Sequence, residues 1–490
     1  MKPFTVVTPH NPGPLFEKTL LSLAKQALVE RVVVVSQKPA FFKTPGCQVL
    51  VAAPLSSHET LRPILTGIQT NYLLLLAGAQ PLSVESGALE RFLREADSRK
   101  PGLIYSDFFD ASEHRKTLHP LSDYQPGSVR DDFDFGPMIL FSVQAIHKAL
   151  RKYGLIPSVK FAGLYDLRLR VSIDHSVYHL KEPLYQIMKT EQRSGSERMF
   201  AYVDPANRAF QEEMERVFTD YLKKIGAYLP SGQLRYFWEA EQTRKSFPVE
   251  ASVVIPVRNR KETIVKAVKS ALSQETDFSF NVIVVDNHST DGTTALLSAL
   301  AGQYSFLKHI VPKRSDLTIG GCWNEALRYK ACGRYIVQLD SDDLYSSNQT
   351  LQKMVDMLRG DNYAMVIGSY TLVNARLQEI SPGLIDHREW SDENGHNNAL
   401  RINGLGAPRG FNTRLMRSMG FLNVSYGEDY AAALRICRQY RIGRIYESLY
   451  LCRRWSGNTD SALSMDEANR NNAFKDQIRT NEILARQKVN

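Results

Sequence analysis

Cysteine is scarce in this sequence, and its spacing matches no common metal or redox motif. The 490 residues include only five cysteines, an odd number, and no two of them form a Cys-x-x-Cys pair. They are Cys47, Cys322, Cys332, Cys437 and Cys452. This usage argues against a disulfide framework and against a zinc site, and it favours reduced thiols. We therefore expect a cytoplasmic protein.

Long hydrophobic runs are also missing. No segment approaches the roughly 20 consecutive apolar residues that a membrane-spanning helix needs. The first nine residues read as a strand and lack the apolar core of a signal peptide. The net charge of +9 suits nucleotide-sugar phosphates, and it also allows peripheral contact with anionic lipid at the inner face of a membrane. No basic–aromatic motif points to nucleic acid as a partner.

The length and the ordinary composition indicate several globular domains. A chain of 490 residues with 43% hydrophobic and 23% charged residues is too long for one core and typical of globular protein, so two or three domains are expected.

Three short apolar segments in the second half of the chain each end in polar residues. They span 251–256, 282–286 and 335–339, and helical patterns at 261–274 and 291–304 separate them. Alternating strands and helices predict a parallel α/β sheet whose strands are buried on both faces. The polar clusters would then share the carboxyl edge, where open α/β sheets bind ligands.

The polar clusters form an ordered series of motifs. The series is Pro-x-x-Asn, Asp-x-x-Ser-x-Asp-Gly-Thr, Gly-x-x-x-Asn and Leu-Asp-Ser-Asp-Asp, followed later by Gly427-Glu428-Asp429. It resembles family 2 glycosyltransferases of the GT-A fold. The resemblance implies a metal-dependent, inverting transfer of sugar from a nucleotide-sugar, most often a UDP-sugar. The implied acceptor is a saccharide or a lipid- or protein-linked glycan, as in surface polysaccharide or glycoconjugate assembly.

The resemblance also implies which residues bind the donor and the metal. These positions are Pro256, Arg258, Asn259, Asp286, Asn324, Asp340 and Asp342. Asp342 is the expected direct ligand of Mn²⁺ or Mg²⁺, and Asp340 shares the ion or contacts the ribose, because hard cations prefer carboxylate oxygens. Asp286 is the expected base contact. Arg258 either touches phosphate or is a surface charge, and Asn324 either lines the pocket for the nucleotide-sugar or serves helix capping or packing.

The acceptor side of the implied site lies further along the chain. Asp429 matches the family's general base, and Glu428 would support it or contact the acceptor; the alternative for Asp429 is an acid that merely begins a helix. Many relatives carry a histidine where this chain has Trp455. The metal then relies on carboxylates and diphosphate, or His387 or His396 supplies a ligand.

Three neighbouring residues are further candidates. Arg453 and Arg454 could neutralise the diphosphate, and Trp455 could stack on a sugar.

The first half of the chain repeats the second half in altered form. Strand–Pro–x–Asn and strand–polar patterns recur in the same order, which predicts two tandem GT-A-like, Rossmann-like domains with mostly parallel sheets. Ser36, Ala77 and Ala79 stand where the second copy has aspartates, so the first copy should lack metal-dependent donor binding. The predicted boundaries are a degenerate domain at 1–190, a helical connector at 191–249, a catalytic domain at 250–456 and a polar helical tail at 457–490.

Other functions remain in competition with this reading. Two GT-A domains in one chain also suit a two-site polysaccharide polymerase, and a non-catalytic carbohydrate-binding or scaffold protein would need none of the acids. A nucleotidyltransferase shares the sheet, but it typically has a Gly-rich basic loop after its first strand, and residues 257–262 are not Gly-rich.

Overall fold

The chain forms two compact units. The computed structural model describes residues 2–42, 44–78, 80–112, 115–188, 205–239, 246–455, 457–458 and 463–489. Unit 1 contains the described residues up to 188, together with Ala209–Tyr228 and the C-terminal residues from Ser464. Unit 2 contains Leu229–Leu463 together with the described residues 205–208.

Unit 1 has strands and helices in alternation, followed by one helix from the end of the chain. Its strands are β1 (Phe4–Pro9), β2 (Val29–Ser36), β3 (Cys47–Val51), β4 (Tyr72–Leu76), β5 (Leu82–Val84), β6 (Leu103–Ser106), β7 (Phe108–Ala111), β8 (Lys116–His119), β9 (Met138–Ser142), β10 (Val177–Leu180) and β11 (Tyr185–Met188). Its helices are α1 (Pro14–Ala24), α2 (His58–Gly67), α3 (Ala88–Arg99), α4 (Val143–Tyr153), α5 (Gly163–Asp174), α6 (Arg208–Lys224) and α14 (Met465–Gln487).

Unit 2 repeats the alternation. Its strands are β12 (Ala251–Val257), β13 (Phe280–Asp286), β14 (Leu307–Ile310), β15 (Tyr335–Gln338), β16 (Leu344–Tyr345), β17 (Met365–Asn374), β18 (Glu379–Ile385), β19 (Arg409–Asn412) and β20 (Ile442–Arg454). Its helices are α7 (Ile264–Leu272), α8 (Thr293–Gln303), α9 (Ile319–Arg328), α10 (Thr350–Gly360), α11 (Gly395–Asn398), α12 (Thr413–Met419) and α13 (Glu428–Cys437).

The main sheets of the two units have the same strand order. Within the described residues, unit 1 has β3-β2-β1-β4-β9-β6-β10, and unit 2 has β14-β13-β12-β15-β19-β17-β20 with β16 added at the edge. The first four strands of each series are parallel, and the fifth is antiparallel to both of its neighbours. The predicted fold class, α/β with mostly parallel sheets, is therefore confirmed.

The strands of unit 2 are buried as their composition predicts. β12 and β13 are apolar over nearly their whole length, and both faces of each are covered. β12 pairs in parallel with both β13 and β15. The carboxyl ends of the three strands therefore lie side by side, and Asp286 and the 340–343 segment meet at one edge.

The predicted helical connector divides between the two units. α6 belongs to unit 1 from Ala209 onward, whereas the chain from Leu229 belongs to unit 2. α6 buries Met214, Val217, Phe218 and Leu222 but leaves Phe210 37% exposed. Part of the predicted connector, residues 191–204 and 240–245, lies outside the described residues, as does Ala79.

Helix α14 is part of the core of unit 1. A capping box of Ser464 and Glu467 begins it. Its Asp476 is 1% exposed and accepts hydrogen bonds from Arg479 at 2.7 Å and from Arg130 at 3.2 Å. A Cβ at Gly127 would lie 2.0 Å from the Asp476 carbonyl oxygen, so glycine permits this close approach. The polar tail of the sequence is thus an internal element. Within the described ranges, we find no helix with the length and apolar content that crossing a bilayer would need.

Candidate active site

Hydrogen bonds join the loops that follow β12 and β13. Asn259 adopts a left-handed conformation with φ of 52°, its N–H donates to the Ser289 hydroxyl at 2.9 Å, and its Oδ1 accepts from the Thr290 N–H at 2.8 Å. Asp286 accepts from the Ser289 N–H at 3.0 Å and from the Thr294 hydroxyl at 2.5 Å. These bonds fix one wall of the site before any ligand arrives.

Asp286 is a buried and ionised carboxylate. Burial raises its pKa, but hydrogen bonds from His309, Ser289 and Thr294 outweigh that effect and hold the pKa at about 2. His309 Nε2 lies 3.4 Å from Asp286 Oδ2. The sequence analysis missed His309, because no motif marks its strand. The predicted contact of Asp286 with the nucleobase stays a prediction.

The neighbouring Asn287 has an acceptor that nothing satisfies. Its Nδ2 donates to the Leu317 carbonyl oxygen at 2.8 Å, while its Oδ1 is buried without a hydrogen-bond partner. An orphaned buried acceptor in a binding region suggests a partner that the protein itself does not supply. Nearby, Pro256 is half-buried and Arg258 is exposed, so both stand at the surface of this strand end.

The turn after β15 concentrates negative charge. Asp340 accepts from Gln338 Nε2 at 2.9 Å, and its N–H donates to the Tyr450 hydroxyl at 2.9 Å. Burial, which is the largest effect, and the charge of Asp342 raise the pKa of Asp340. The hydrogen bond from Gln338 acts in the opposite direction and lowers it. Burial and the charges of Asp342 and Asp340 raise the pKa of Asp343 well above its usual range. A divalent cation would relieve this repulsion.

Several donors converge on one oxygen of Asp342. Its Oδ2 accepts from Trp455 Nε1 at 3.3 Å and from Asn458 Nδ2 at 3.2 Å, and Arg260 Nε lies 3.9 Å away. The indole N–H of Trp455 is thus directed at Asp342, and the predicted stacking of Trp455 on a sugar stays a prediction. The sequence analysis did not single out Arg260 or Asn458, which lie outside the recognised motifs.

The protein supplies only part of a metal coordination shell. Among the described residues, no group of three histidine, cysteine, aspartate or glutamate side chains could hold an ion. His387 Nδ1 lies 2.9 Å from Glu389 Oε1 and His396 Nε2 lies 2.7 Å from the Leu229 carbonyl oxygen. The predicted use of either histidine as a metal ligand stays a prediction. The acidic turn fits a hard cation that takes its other ligands from diphosphate and water, as Mg²⁺ commonly does.

Arg453 supports the acidic turn and has one donor left over. Its N–H donates to Asp343 Oδ1 at 2.7 Å, and its Nε donates to the Asp342 carbonyl oxygen. Its Nη2 is buried with no hydrogen-bond partner. Arg454 is half-buried next to it on β20. The predicted contact of these arginines with diphosphate stays a prediction, and the orphaned Nη2 is consistent with it.

Two glycines allow α9 to pack against the segment before α13. A Cβ at Gly320 would lie 1.7 Å from the Leu422 carbonyl oxygen, and one at Gly321 would lie 2.3 Å from Asn423 Oδ1. That Asn423 oxygen also accepts from the Thr318 N–H at 2.9 Å. The Gly-x-x-x-Asn motif therefore reflects a backbone approach that side chains would prevent.

The Asn324 side chain binds the protein backbone, whereas one of its predicted roles was contact with the nucleotide-sugar. Its Nδ2 donates to the Phe421 carbonyl oxygen and its Oδ1 accepts from the Phe421 N–H, both at 2.9 Å. The amide is thus committed to the backbone of the loop before α13. We assign Asn324 a positioning role, because a side chain with both ends bound to one residue holds that loop in register.

Glu428 and Asp429 begin α13 and differ in environment. Asp429 is paired with Arg409, and its side chain is 26% exposed. Glu428 is 8% exposed, and burial followed by the charge of Asp429 raises its pKa to about 8. At neutral pH Glu428 therefore carries a proton, whereas Asp429 remains the accessible acid.

Arg409 connects the acidic turn to the start of α13. β19 pairs with β15 so that Gly410 faces Val337, which places Arg409 beside the end of β15. Burial alone would lower the pKa of Arg409. The negative charges of Asp429, Asp340 and Glu428 outweigh that effect, so the pKa is raised. The sequence analysis did not single out Arg409, because a single arginine has no distinguishing pattern.

Comparisons with known proteins agree with this geometry. Residues 252–420 match the family model described as glycosyl transferase family 2. The chain is 31% identical over 124 residues to the UDP-Glc:alpha-D-GlcNAc-diphosphoundecaprenol beta-1,3-glucosyltransferase WfgD of Escherichia coli, covering 25% of this chain and 46% of WfgD. It is 35% identical over 107 residues to the succinoglycan biosynthesis protein ExoO of Rhizobium meliloti, covering 22% of this chain and 29% of ExoO.

A solved structure gives a weaker match. The TarS 1–349 fragment from S. aureus, solved with UDP-GlcNAc, aligns with a TM-score of 0.37 and 23% identity over 48% of this chain and 72% of TarS 1–349. The chain spans less than half the length of WfgD or ExoO. The region that matches the family model lies within unit 2 and ends before Glu428 and Asp429. Residues 252–420 are therefore similar to glycosyl transferase family 2.

Proposed function

We propose that unit 2 is a metal-dependent, inverting glycosyltransferase that moves a sugar from a nucleotide-sugar to a glycan hydroxyl. The observation that carries this proposal is the ion pair between Arg409 and Asp429. It lies at the edge of the sheet where Asp340 and Asp342 follow β15. A cluster of acids for a cation and an accessible acid for an acceptor proton thus lie on either side of one arginine.

The donor half of the site would bind the nucleotide diphosphate. Asp342, with Asp340 beside it, would hold Mn²⁺ or Mg²⁺, which when bound neutralises the negative charge of the departing diphosphate. Asn287 Oδ1 and Arg453 Nη2 each have unused hydrogen-bonding capacity for a ligand. The loops fixed by Asn259 and Asp286 would present the nucleoside pocket without reorganisation, which lowers the entropic cost of binding.

The acceptor half would remove a proton. The acceptor oxygen attacks the anomeric carbon as the bond from that carbon to the diphosphate oxygen breaks, and the hydroxyl proton passes to the Asp429 carboxylate. Arg409 would orient Asp429. Glu428, protonated at neutral pH, would add no second negative charge and could donate a hydrogen bond to the acceptor.

A UDP-sugar is the proposed donor, with a saccharide or a lipid- or protein-linked glycan as the acceptor. The names of WfgD and ExoO support this, since one specifies UDP-Glc and a diphosphoundecaprenol-linked acceptor and the other polysaccharide biosynthesis. A lipid-linked acceptor would bring the chain to an anionic membrane surface, and the net charge of +9 favours such contact.

Unit 1 does not support a second transfer site of the kind that a two-site polymerase requires. Ala77 follows β4 where Asp340 follows β15, and it provides no ligand for a cation. Asp166, which stands at the place of Asp429, is 2% exposed and bound to Arg170 Nε at 2.5 Å. A buried and paired carboxylate cannot reach an acceptor hydroxyl.

The test is donor hydrolysis and binding in the presence of Mn²⁺. Wild type should slowly hydrolyse one member of a panel of UDP-, GDP- and dTDP-sugars and should bind the matching nucleotide in calorimetry. Asp342→Asn should lose turnover by roughly 100-fold or more, since one group that stabilises transition-state charge contributes that much. Asp356→Asn is the matched control, because this carboxylate is exposed on α10. Absence of both binding and turnover across the panel would refute the proposal.

A further inference from the structure

Unit 1 contains a cavity at the place that the active site occupies in unit 2. The cavity has a volume of about 280 Å³, and Ala77, Tyr165 and Arg168 are among the residues that line it. Ala77 follows β4, and the other two lie on α5. In unit 2 the corresponding elements are β15, which is followed by Asp340, and α13, which begins at Glu428. The cavity therefore lies where a nucleotide-sugar would bind in a complete site, but its chemistry has changed.

Aromatic rings and aliphatic side chains together form most of the lining of this cavity. Phe133, Phe135 and Tyr165 line its interior and are each less than 8% exposed. Phe161 lines it too, but it is 42% exposed, and its ring centroid lies 5.9 Å from that of Phe210, which is 37% exposed. The wall thus runs from buried rings to a pair of rings in contact with solvent.

Two acids and one arginine are the charged groups of the cavity. Of the acids, Asp131 and Asp134, the second is 60% exposed, accepts from the Gly136 N–H at 2.8 Å and lies 3.4 Å from His119 Nε2. The Arg168 guanidinium donates to the carbonyl oxygens of Ser128 at 2.9 Å and Arg130 at 2.7 Å, and it lies 4.9 Å from the Tyr165 ring. The arginine is therefore committed to the backbone and does not offer an anion a free binding fork.

From these features we propose that the cavity in unit 1 binds a neutral saccharide without a metal. The C–H faces of a sugar ring pack on aromatic rings, and its hydroxyl groups donate to carboxylates. A cavity near the lower end of the size range for small-molecule sites suits one sugar residue of a longer glycan. This assignment does not depend on the transfer reaction proposed for unit 2.

Other classes of ligand fit less well. A nucleoside diphosphate would bring negative charge to Asp131 and Asp134 where Ala77 offers no cation ligand. An acyl or isoprenoid chain would remove water from the exposed Asp134 carboxylate and offer it no hydrogen-bond donor in return, which is costly. A neutral saccharide offers C–H faces to the rings and hydroxyl donors to that carboxylate.

The experiment measures saccharide binding to the full-length chain by saturation-transfer difference NMR. The probes are cellotriose and triacetylchitotriose, with trigalacturonic acid as an anionic comparison. At least one neutral trisaccharide should bind, and the anionic one should bind more weakly. Phe161→Ala should weaken binding roughly ten-fold, because it removes one aromatic contact. Ala77→Phe should abolish binding by filling the cavity.

The controls separate this site from unit 2. Circular dichroism melting that matches wild type shows that unit 1 remains folded in both variants, and UDP binding with Mn²⁺, followed by calorimetry, should be unchanged because that site lies in unit 2. Leu155→Ala is a matched surface control, because Leu155 is 57% exposed and is not among the residues that line the cavity. Saccharide binding that survives both Phe161→Ala and Ala77→Phe, equal binding of trigalacturonic acid, or no binding of either neutral trisaccharide would each overturn the proposal.

Discussion

Replacing Glu428 by glutamine should change how the stability of unit 2 depends on pH. Burial and the charge of Asp429 raise the pKa of Glu428 from 4.5 to about 8. The folded protein thus binds this proton more tightly than the unfolded chain does, so the stabilisation is fully present below pH 4.5 and is lost as the pH rises towards 8. Each pKa unit corresponds to about 1.36 kcal/mol, which gives an upper bound of about 5 kcal/mol. Relaxation of the folded protein would reduce this to roughly half.

Tryptophan fluorescence can isolate the transition of unit 2. All four tryptophans of the chain, Trp238, Trp323, Trp390 and Trp455, lie in this unit. Urea unfolding with a chelator present, at intervals from pH 5 to pH 8.5, gives the stability of wild type and of Glu428→Gln.

The expected result is a difference between the two proteins that grows with pH. The glutamine resembles the protonated acid at every pH, so the two should agree near pH 5 and the variant should be more stable at pH 8. Glu447→Gln serves as the control, because Glu447 is 50% exposed on β20. Parallel curves for wild type and Glu428→Gln across the whole range would refute the reasoning.

Two further predictions concern an arginine in each unit. Arg409→Lys should lower kcat by roughly ten-fold while leaving nucleotide binding unchanged, because lysine keeps the charge but not the geometry that orients Asp429; steady-state kinetics and calorimetry check this, and an equal loss in the exposed Arg414→Lys would contradict it. Asp476→Ala should destabilise unit 1 by about 3–5 kcal/mol, because it leaves Arg479 without its buried partner. Circular dichroism should report the lost stability while tryptophan fluorescence stays unchanged, and an unaltered circular dichroism transition would contradict the argument.

The sheets could be predicted because their signal is local. β12 and β13 are runs of β-branched residues closed by polar ones, and burial on both faces follows from that composition. The same pattern in β1 and β2 gave the repeated order of strands. Chain order and parallel pairing then brought Asp286 and Asp340 to one edge without further information.

The contacts between distant segments could not be predicted in this way. Asn324 looked like a ligand contact because a motif contains it, yet its partner is the backbone of Phe421, about a hundred residues away. Arg409 and His309 reach the site because of the register in which β19 pairs with β15 and β14 pairs with β13. A sequence pattern does not encode that register. Helix α14 looked like a polar tail because two arginines, Arg479 and Arg486, are buried there with acidic partners, and composition alone reads such residues as exposed.

The place of α14 in unit 1 has a consequence for synthesis of the chain. The ribosome makes the first strands of unit 1 before unit 2, but the helix that supplies Asp476 and Arg479 to the core of unit 1 follows unit 2 in the chain. Unit 2 can fold as soon as it has emerged, whereas unit 1 lacks part of its core until α14 is made. We therefore expect unit 2 to complete its fold before unit 1 does.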